Sequence, residues 1–76
     1  MRIDLFLKET RLIKRRTIAK EYCEKTLVCV NDKPVKPSYM VKEGDRIEIT
    51  FGTKKALILA HVDNTGKKTK VSYELL

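Results

Sequence analysis

The chain has 76 residues, of which 42% are hydrophobic and 36% are charged, with a net charge of +7. A chain of this length forms one small domain, which has little room for both a core and an enclosed active site. No apolar run approaches the roughly 18 residues of a membrane span, and the charges in "MRIDLFLKET" are too closely spaced for a signal peptide, so we expect a cytoplasmic protein.

The first predicted element is a short helix over residues 3 to 9. Its spacing places Ile3, Phe6 and Leu7 on one side, which would face the core. Asp4 falls in the first turn, where a carboxylate is favourable because the start of a helix is locally positive. We therefore assign Asp4 to structure, either as a helix-start carboxylate or as the partner of a nearby arginine.

A second helix is predicted from about residue 15 to residue 25. Lys20 and Glu24 lie one turn apart and could form an exposed ion pair. The apolar stripe of this helix contains Ile18, Ala19, Tyr22 and Cys23.

From Leu27 onward the sequence is typical of β-structure. "LVCV" ends in the turn signal "NDKP", a loop with a short extended piece around 39–41 follows, and "RIEITF" alternates between apolar and polar residues. "ALILAHV" and "VSYELL" flank "DNTGKK", which predicts a hairpin with Asn64 or Gly66 as its left-handed residue. The predicted fold class is α+β, with two short N-terminal helices packed on a small antiparallel sheet in a single domain, 1–76.

The cysteines and the histidine do not indicate a metal site or a catalytic site. We expect Cys23 and Cys29 to be reduced and buried, because they fall on a helix and on a strand without a CxxC spacing. A zinc site needs four ligands, and the chain has one histidine, His61, which we expect to pack on an apolar strand. No cofactor, metal or catalytic residue is predicted.

Basic residues are concentrated at the N-terminal end of the chain. Residues 1–20 hold seven Lys or Arg and two acidic residues, whereas residues 21–52 hold five and six. Residues 53–76 hold five and two, with Lys67, Lys68 and Lys70 near the tip of the predicted hairpin. These three lysines are expected to aid solubility, with an auxiliary contact to a polyanionic partner as the alternative. The overall excess favours a polyanionic partner.

The start of the second helix is the most unusual stretch of the sequence. "RLIKRR" places cations where the helix dipole already makes the chain positive, and only Ile13 and Lys14 precede Arg15, so no capping side chain is available. A phosphate would resolve this conflict, because free N–H groups and basic side chains favour the same anion. The alternative is that Thr17 caps the helix and the basic run is a solvated loop. Since the aromatic residues are scattered and fall mostly on expected core faces, phosphate contact is favoured over base stacking.

Four short motifs together resemble the ribosomal-protein S-four type RNA-binding domain. They are "RIDLFL" (2–7), "KRRTIAKE" (14–21), "VCVND" (28–32) and "VKEGD" (41–45), in this order and spacing, so the similar part spans residues 2–51. Residues 55–76 are then a C-terminal hairpin extension. Two positions depart from the family pattern, because Asp32 and Thr26 stand where glycine is usual. Aspartate tolerates the left-handed conformation, so the turn at Asp32 should be kept.

The resemblance implies an RNA-binding function without enzymatic activity. The sequence looks most like free-standing bacterial members of the family that act in ribosome-associated quality control, a group related to heat-shock protein fifteen. The implied partners are ribosomal RNA and tRNA on the large ribosomal subunit, bound by a monomer. By matching positions, Arg2 and Arg16 are the first choices for RNA contact, and the rest of the expected RNA-binding surface consists of Arg11, Lys14, Arg15, Lys20, Lys33 and Lys36.

Other functions stay open on the sequence alone. Within the same class, the protein could act in subunit recycling or in ribosome assembly. A protein-interaction module could instead use the basic face to dock an acidic partner. An enzyme is disfavoured because the sequence has no phosphate-cradling glycine loop and no paired carboxylates in a plausible cleft.

Overall fold

The structure is a computed structural model that describes residues 1–76 and contains two helices and one five-stranded sheet. All neighbouring strands are antiparallel, in the order β2-β1-β3-β4-β5. The predicted α+β fold is confirmed, and neither helix has the length and apolar character needed to cross a membrane. The elements are α1 (Ile3–Glu9), α2 (Arg16–Glu24), β1 (Val28–Val30), β2 (Lys33–Pro34), β3 (Arg46–Phe51), β4 (Lys54–Asp63) and β5 (Lys70–Leu75).

The core lies between α1 and one face of the sheet. Strands β3 and β4 pair with Ile47 opposite Ile58, and both side chains are fully buried because alternate residues of a strand face the same side. From α1, the predicted apolar side is confirmed: Ile3, Phe6 and Leu7 are fully buried. Burying each such side chain contributes roughly 1.5–3 kcal/mol before the entropy cost of folding.

Two expectations for α2 are wrong. Ile18 is 36% exposed, because the nine-residue helix turns only a narrow stripe, Ala19 and Cys23, into the core. Lys20 and Glu24 do not form an ion pair. A single turn of spacing brings such side chains within reach, but an exposed pair gains too little energy to fix their geometry.

The aromatic residues are only partly in the core. Phe6 is fully buried, and Tyr22 packs against Phe51 with ring centroids 5.8 Å apart. Tyr39 is half-buried, and its hydroxyl donates to the Asp45 carboxylate at 2.8 Å. Tyr73 is 36% exposed on the edge strand β5, so a core position is wrong for this ring.

The turn between β1 and β2 explains two of the motifs seen in the sequence. Asn31 and Asp32 have φ angles of +51° and +70°, as a two-residue hairpin turn requires, so the turn at Asp32 is kept as predicted. The Asn31 amide donates to the buried Asp45 carboxylate at 3.3 Å and its oxygen accepts the Arg46 N–H at 3.1 Å. These residues hold the sheet and the loop before β3 together.

The chain between β4 and β5 forms a hairpin turn as predicted, but it is stabilised by side-chain hydrogen bonds and not by a left-handed residue. Neither Asn64 nor Gly66 has a positive φ. Instead, the Asp63 carboxylate accepts the N–H of Thr65 at 2.9 Å and its hydroxyl at 2.6 Å. These bonds also lower the pKa of Asp63.

Thr26 occupies a backbone conformation that suits glycine. Its φ is +59°, which costs a residue with a side chain about 1–2 kcal/mol. Because glycine loses about 0.5–1 kcal/mol more entropy on folding, Thr26→Gly should raise the free energy of unfolding by about 0.5–1 kcal/mol. Thermal unfolding measures this change in stability. Thr26→Ala is the matched control, because alanine still has a Cβ and so keeps the backbone strain of the positive φ angle. Equal stability of the two variants would contradict the strain at this position.

Candidate nucleic-acid interface

The two helices begin in opposite ways. At the start of α1, Ile3 N–H donates to Tyr39 O at 2.7 Å, Asp4 N–H to Pro37 O at 3.3 Å, and Leu5 N–H to the Asp4 carboxylate at 2.7 Å. The first donors of this helix are therefore satisfied within the chain, which also ties the 37–41 segment to the helix start.

At the start of α2, the first donors have no partner. Arg15 is the N-cap residue and makes no side-chain cap, and the first bond runs from Ala19 N–H to Arg15 O. The N–H groups of Arg16, Thr17 and Ile18 donate to no group in the chain. The alternative in which Thr17 caps the helix is wrong, because Thr17 is the second residue of α2.

A buried carboxylate orients two arginines beside this open helix start. Asp4 is 2% exposed, and its oxygens lie 3.1 Å from an Arg2 Nη and 3.5 Å from Arg16 Nε. Asp4 is thus both a helix-start carboxylate and an arginine partner, the two structural roles expected from the sequence. Both arginine side chains remain about half exposed, and their other nitrogens have no partner in the chain.

These side chains line two adjoining grooves. One, of about 290 Å³, is lined by Arg2, Asp4, Arg16, Thr17 and Lys20. The other, of about 520 Å³, shares Arg2 and Lys20 and adds Lys36, which the pairing of the N-terminus with the 37–41 segment brings near. We call the two together the α2 groove. The structure brings four of the expected RNA-binding residues into it: Arg2, Arg16, Lys20 and Lys36.

The other four expected residues lie outside the α2 groove. Arg11 and Lys14 line a separate groove of about 420 Å³. Arg15, the N-cap of α2, and Lys33, on β2, are exposed and line neither groove. The eight residues of the predicted set therefore do not all line the same groove.

The α2 groove also contains the acidic Glu24 and several neutral residues that the sequence did not indicate as part of a site. Thr26, Pro34, Pro37 and Ser38 form part of its wall. These four residues carry no charge, so the charge pattern does not mark them, and Pro37 and Ser38 lie beside the N-terminus only through its tertiary pairing with the 37–41 segment.

The thiol of Cys23 also lines the α2 groove. Burial, with a smaller effect from Asp4 and Glu24, raises its pKa to about 11, so it is protonated at neutral pH and unreactive. Both cysteines are free, but Cys29 is half-buried, not fully buried as expected.

His61 was expected to pack on an apolar strand, but both of its ring nitrogens make polar contacts. It lies on the outer face of the sheet, where Nδ1 is 2.7 Å from a Glu43 carboxylate oxygen and Nε2 is 2.9 Å from one of Glu74. A neutral imidazole can donate only one hydrogen bond, so this geometry requires the charged form. The hydrogen bond with Glu74, followed by that with Glu43, raises the pKa of His61. This bridge could not be predicted from the sequence, because the two glutamates are distant from His61 along the chain.

The bridge makes stability depend on pH. Because the pKa of His61 is higher in the folded than in the unfolded chain, its contribution is present at pH values below about 6.5 and is lost as pH rises through the raised pKa. The pKa of Glu43 is lowered, so the contribution is also lost as strong acid protonates that carboxylate. Denaturant midpoints measured between about pH 5 and 8 should fall with pH, and His61→Gln should remove this fall. An unchanged pH profile in His61→Gln would exclude the bridge.

Comparison with known proteins gives a consistent result. The S4 domain family model matches residues 1–47. A Halalkalibacterium halodurans protein named RQC P-site tRNA stabilizing factor is 47% identical over 73 residues, which cover 95% of this chain and 83% of that protein. A Bacillus subtilis protein of the same name is 43% identical over 70 residues, covering 92% and 79%. Among solved structures, Vibrio cholerae Heat Shock Protein 15, described as trimeric, matches with a TM-score of 0.78 and 26% identity, covering 90% of this chain and 69% of that chain.

Proposed function

The chain belongs to the S4 domain family, and on this premise we propose that it binds ribosomal RNA and tRNA on the large ribosomal subunit, in quality control of stalled peptidyl-tRNA complexes. The name of the two bacterial relatives, which describes stabilisation of P-site tRNA, supports this function. The high coverage of both chains supports carrying it over. The proposed activity is binding and not catalysis, with no cofactor or metal, and it places the protein in the cytoplasm.

One observation carries the proposal: the start of α2 is open beside two oriented guanidinium groups. Three backbone N–H groups without partners and the helix dipole favour an anion at this point. Arg2 and Arg16, held by Asp4, present planar donors that match a phosphate in bidentate geometry. A nucleic-acid backbone supplies such phosphates at regular spacing, whereas a single acidic side chain would satisfy only part of the site.

We assign the residues of the predicted set to two levels of contact. Arg2 and Arg16 are the primary phosphate ligands, and Lys20 and Lys36 extend the α2 groove along the same backbone. The remaining cations, which lie outside this groove, guide the RNA by their charge. They are Arg11, Lys14, Arg15 and Lys33.

Sedimentation with ribosomal particles tests the function. Tagged protein should travel through a sucrose gradient with free large subunits that carry tRNA. Comigration with small subunits would favour ribosome assembly, and comigration with large subunits that lack tRNA would favour subunit recycling. Recovery of an acidic protein without ribosomes at moderate salt would favour the protein-interaction alternative.

Salt dependence provides the physical test on purified RNA. If about five phosphates are engaged, the logarithm of the binding constant should fall with the logarithm of salt concentration with a slope of about −3 to −5. Filter binding or fluorescence anisotropy with a structured RNA measures this slope. A slope near zero would contradict a phosphate-dominated contact.

A further inference from the structure

A second basic surface lies away from the α2 groove. Three further grooves share Glu9 and so adjoin one another at the C-terminal end of α1. None of them contains Arg2, Arg16, Lys20 or Lys36. The cations that line them come from α1, the loop after it and the hairpin, and the only acidic residue, Glu9, lies 3.7 Å from the Lys8 ammonium. The cations are Lys8, Arg11, Lys14, Lys68 and Lys70.

An exposed aromatic ring lines this surface. Tyr73 pairs with Ala60 across β5 and β4, which places it on the same sheet face as the helices. It is 36% exposed, and its hydroxyl has no hydrogen-bond partner in the chain. The groove that it lines, about 280 Å³ in volume, also includes Thr10, Arg11 and Val71.

Arg11, on the same groove, stands where the backbone favours glycine. It follows the end of α1 with a φ of +64°, the left-handed position at which helices commonly end in glycine. Its side chain makes no ion pair or hydrogen bond within the chain that would offset this strain. Residues held in such a backbone conformation cluster at functional sites and ligand contacts.

We propose that the groove between the C-terminal end of α1 and strand β5 binds one unpaired RNA base, which stacks on the Tyr73 ring while Arg11 holds the adjoining phosphate. The neighbouring lysines attract the same strand. This inference rests on the proposed function and adds a second, single-stranded contact to it. Stacking on an aromatic ring does not depend on which base is present, so the groove recognises unpaired nucleotides and not a sequence.

Two RNA probes separate this contact from the α2 groove: a blunt-ended hairpin, and the same hairpin with a short unpaired overhang. Wild-type protein should bind the overhang probe about tenfold more tightly, as expected for one stacked base. Tyr73→Phe should keep this gain. Tyr73→Ile, which retains an apolar, strand-favouring side chain without a ring, should lose the gain and bind the blunt probe like wild type.

The failures of the two proposals are distinguishable. If the overhang brings no gain in wild-type protein, or if Tyr73→Ile keeps the gain, the base site is overturned while the function stands. If wild-type protein binds neither probe at low salt, the proposed function is overturned. Should Tyr73→Ile fail to fold, Arg11→Gly tests the same groove, because glycine suits the backbone there, and it should reduce the gain several-fold.

Discussion

Replacing Arg16 by alanine should lower the affinity for structured RNA by about ten- to a hundredfold. A hydrogen bond to a charged group contributes about 1.5–3 kcal/mol, and Arg16 lies at the open start of α2 with its terminal nitrogens unpaired. Fluorescence anisotropy at fixed salt measures the loss. The salt slope should decrease by about one unit, since one phosphate contact is removed.

The fold of Arg16→Ala should be nearly unchanged. Asp4 is buried, but without Arg16 it keeps its contacts with the Arg2 guanidinium and the Leu5 N–H, so losing the 3.5 Å contact to the half-exposed Arg16 costs about 1 kcal/mol. Removing a cation from a helix start offsets about 0.3–1 kcal/mol of this cost. The circular dichroism spectrum and the unfolding midpoint should therefore match those of wild type.

Two further variants complete this experiment. Lys54→Ala is the control for net charge, because it removes one exposed cation at the start of β4 that lines none of the grooves. Arg16→Lys should restore only part of the affinity, since one ammonium cannot pair with Asp4 and hold a phosphate in bidentate geometry. Equal binding by Arg16→Ala and Lys54→Ala would show that the site is misplaced.

Most of this fold could be predicted from local patterns in the sequence. The apolar spacing in residues 3–9 and the alternation in "RIEITF" matched α1 and β3, because helix and strand periods are set by neighbours along the chain. The cations at the start of α2 could also be recognised from sequence, because a helix without a cap and with basic residues in its first turn conflicts with ordinary preference.

Long-range contacts account for what the sequence did not indicate. Lys36 and Arg2 line the same groove because the N-terminus pairs with the 37–41 segment, a contact between residues far apart in the sequence. His61 was misjudged because Glu43 and Glu74 lie 18 and 13 residues away from it along the chain. The exposure of Tyr73 follows from the position of β5 at the sheet edge, which alternation alone does not reveal.

The unfavourable placement of basic residues at the positive start of α2 is partly offset by a carboxylate within the chain. Asp4 lies between Arg2 and Arg16 and holds both side chains, yet each keeps free donors and the three backbone N–H groups stay open. The carboxylate thus lowers the local excess of charge without closing the site. We expect the Asp4 carboxylate to favour binding by orienting the two guanidinium groups. The effect of this orientation can be separated experimentally from the effect of net charge.

Asp4→Asn should weaken RNA binding although it makes the protein more positive. Ordering a flexible side chain at an interface costs about 0.5–1.5 kcal/mol, and this variant releases two arginines that Asp4 now orients. We therefore expect a loss of affinity of about tenfold. Stability should also fall by about 1–2 kcal/mol, because a carboxylate that is 2% exposed loses its charge-assisted bonds, which lowers the melting temperature by several degrees.

Glu21→Gln is the matched control for this prediction. It makes the same change in charge at an exposed position of α2 that forms no ion pair. If RNA binding depended only on net charge, both variants would bind more tightly than wild type and to a similar extent. Orientation by Asp4 predicts instead that Glu21→Gln binds at least as tightly as wild type while Asp4→Asn binds less tightly, measured at a temperature where both are folded. Tighter binding by Asp4→Asn would mean that the carboxylate competes with the phosphate for the two arginines.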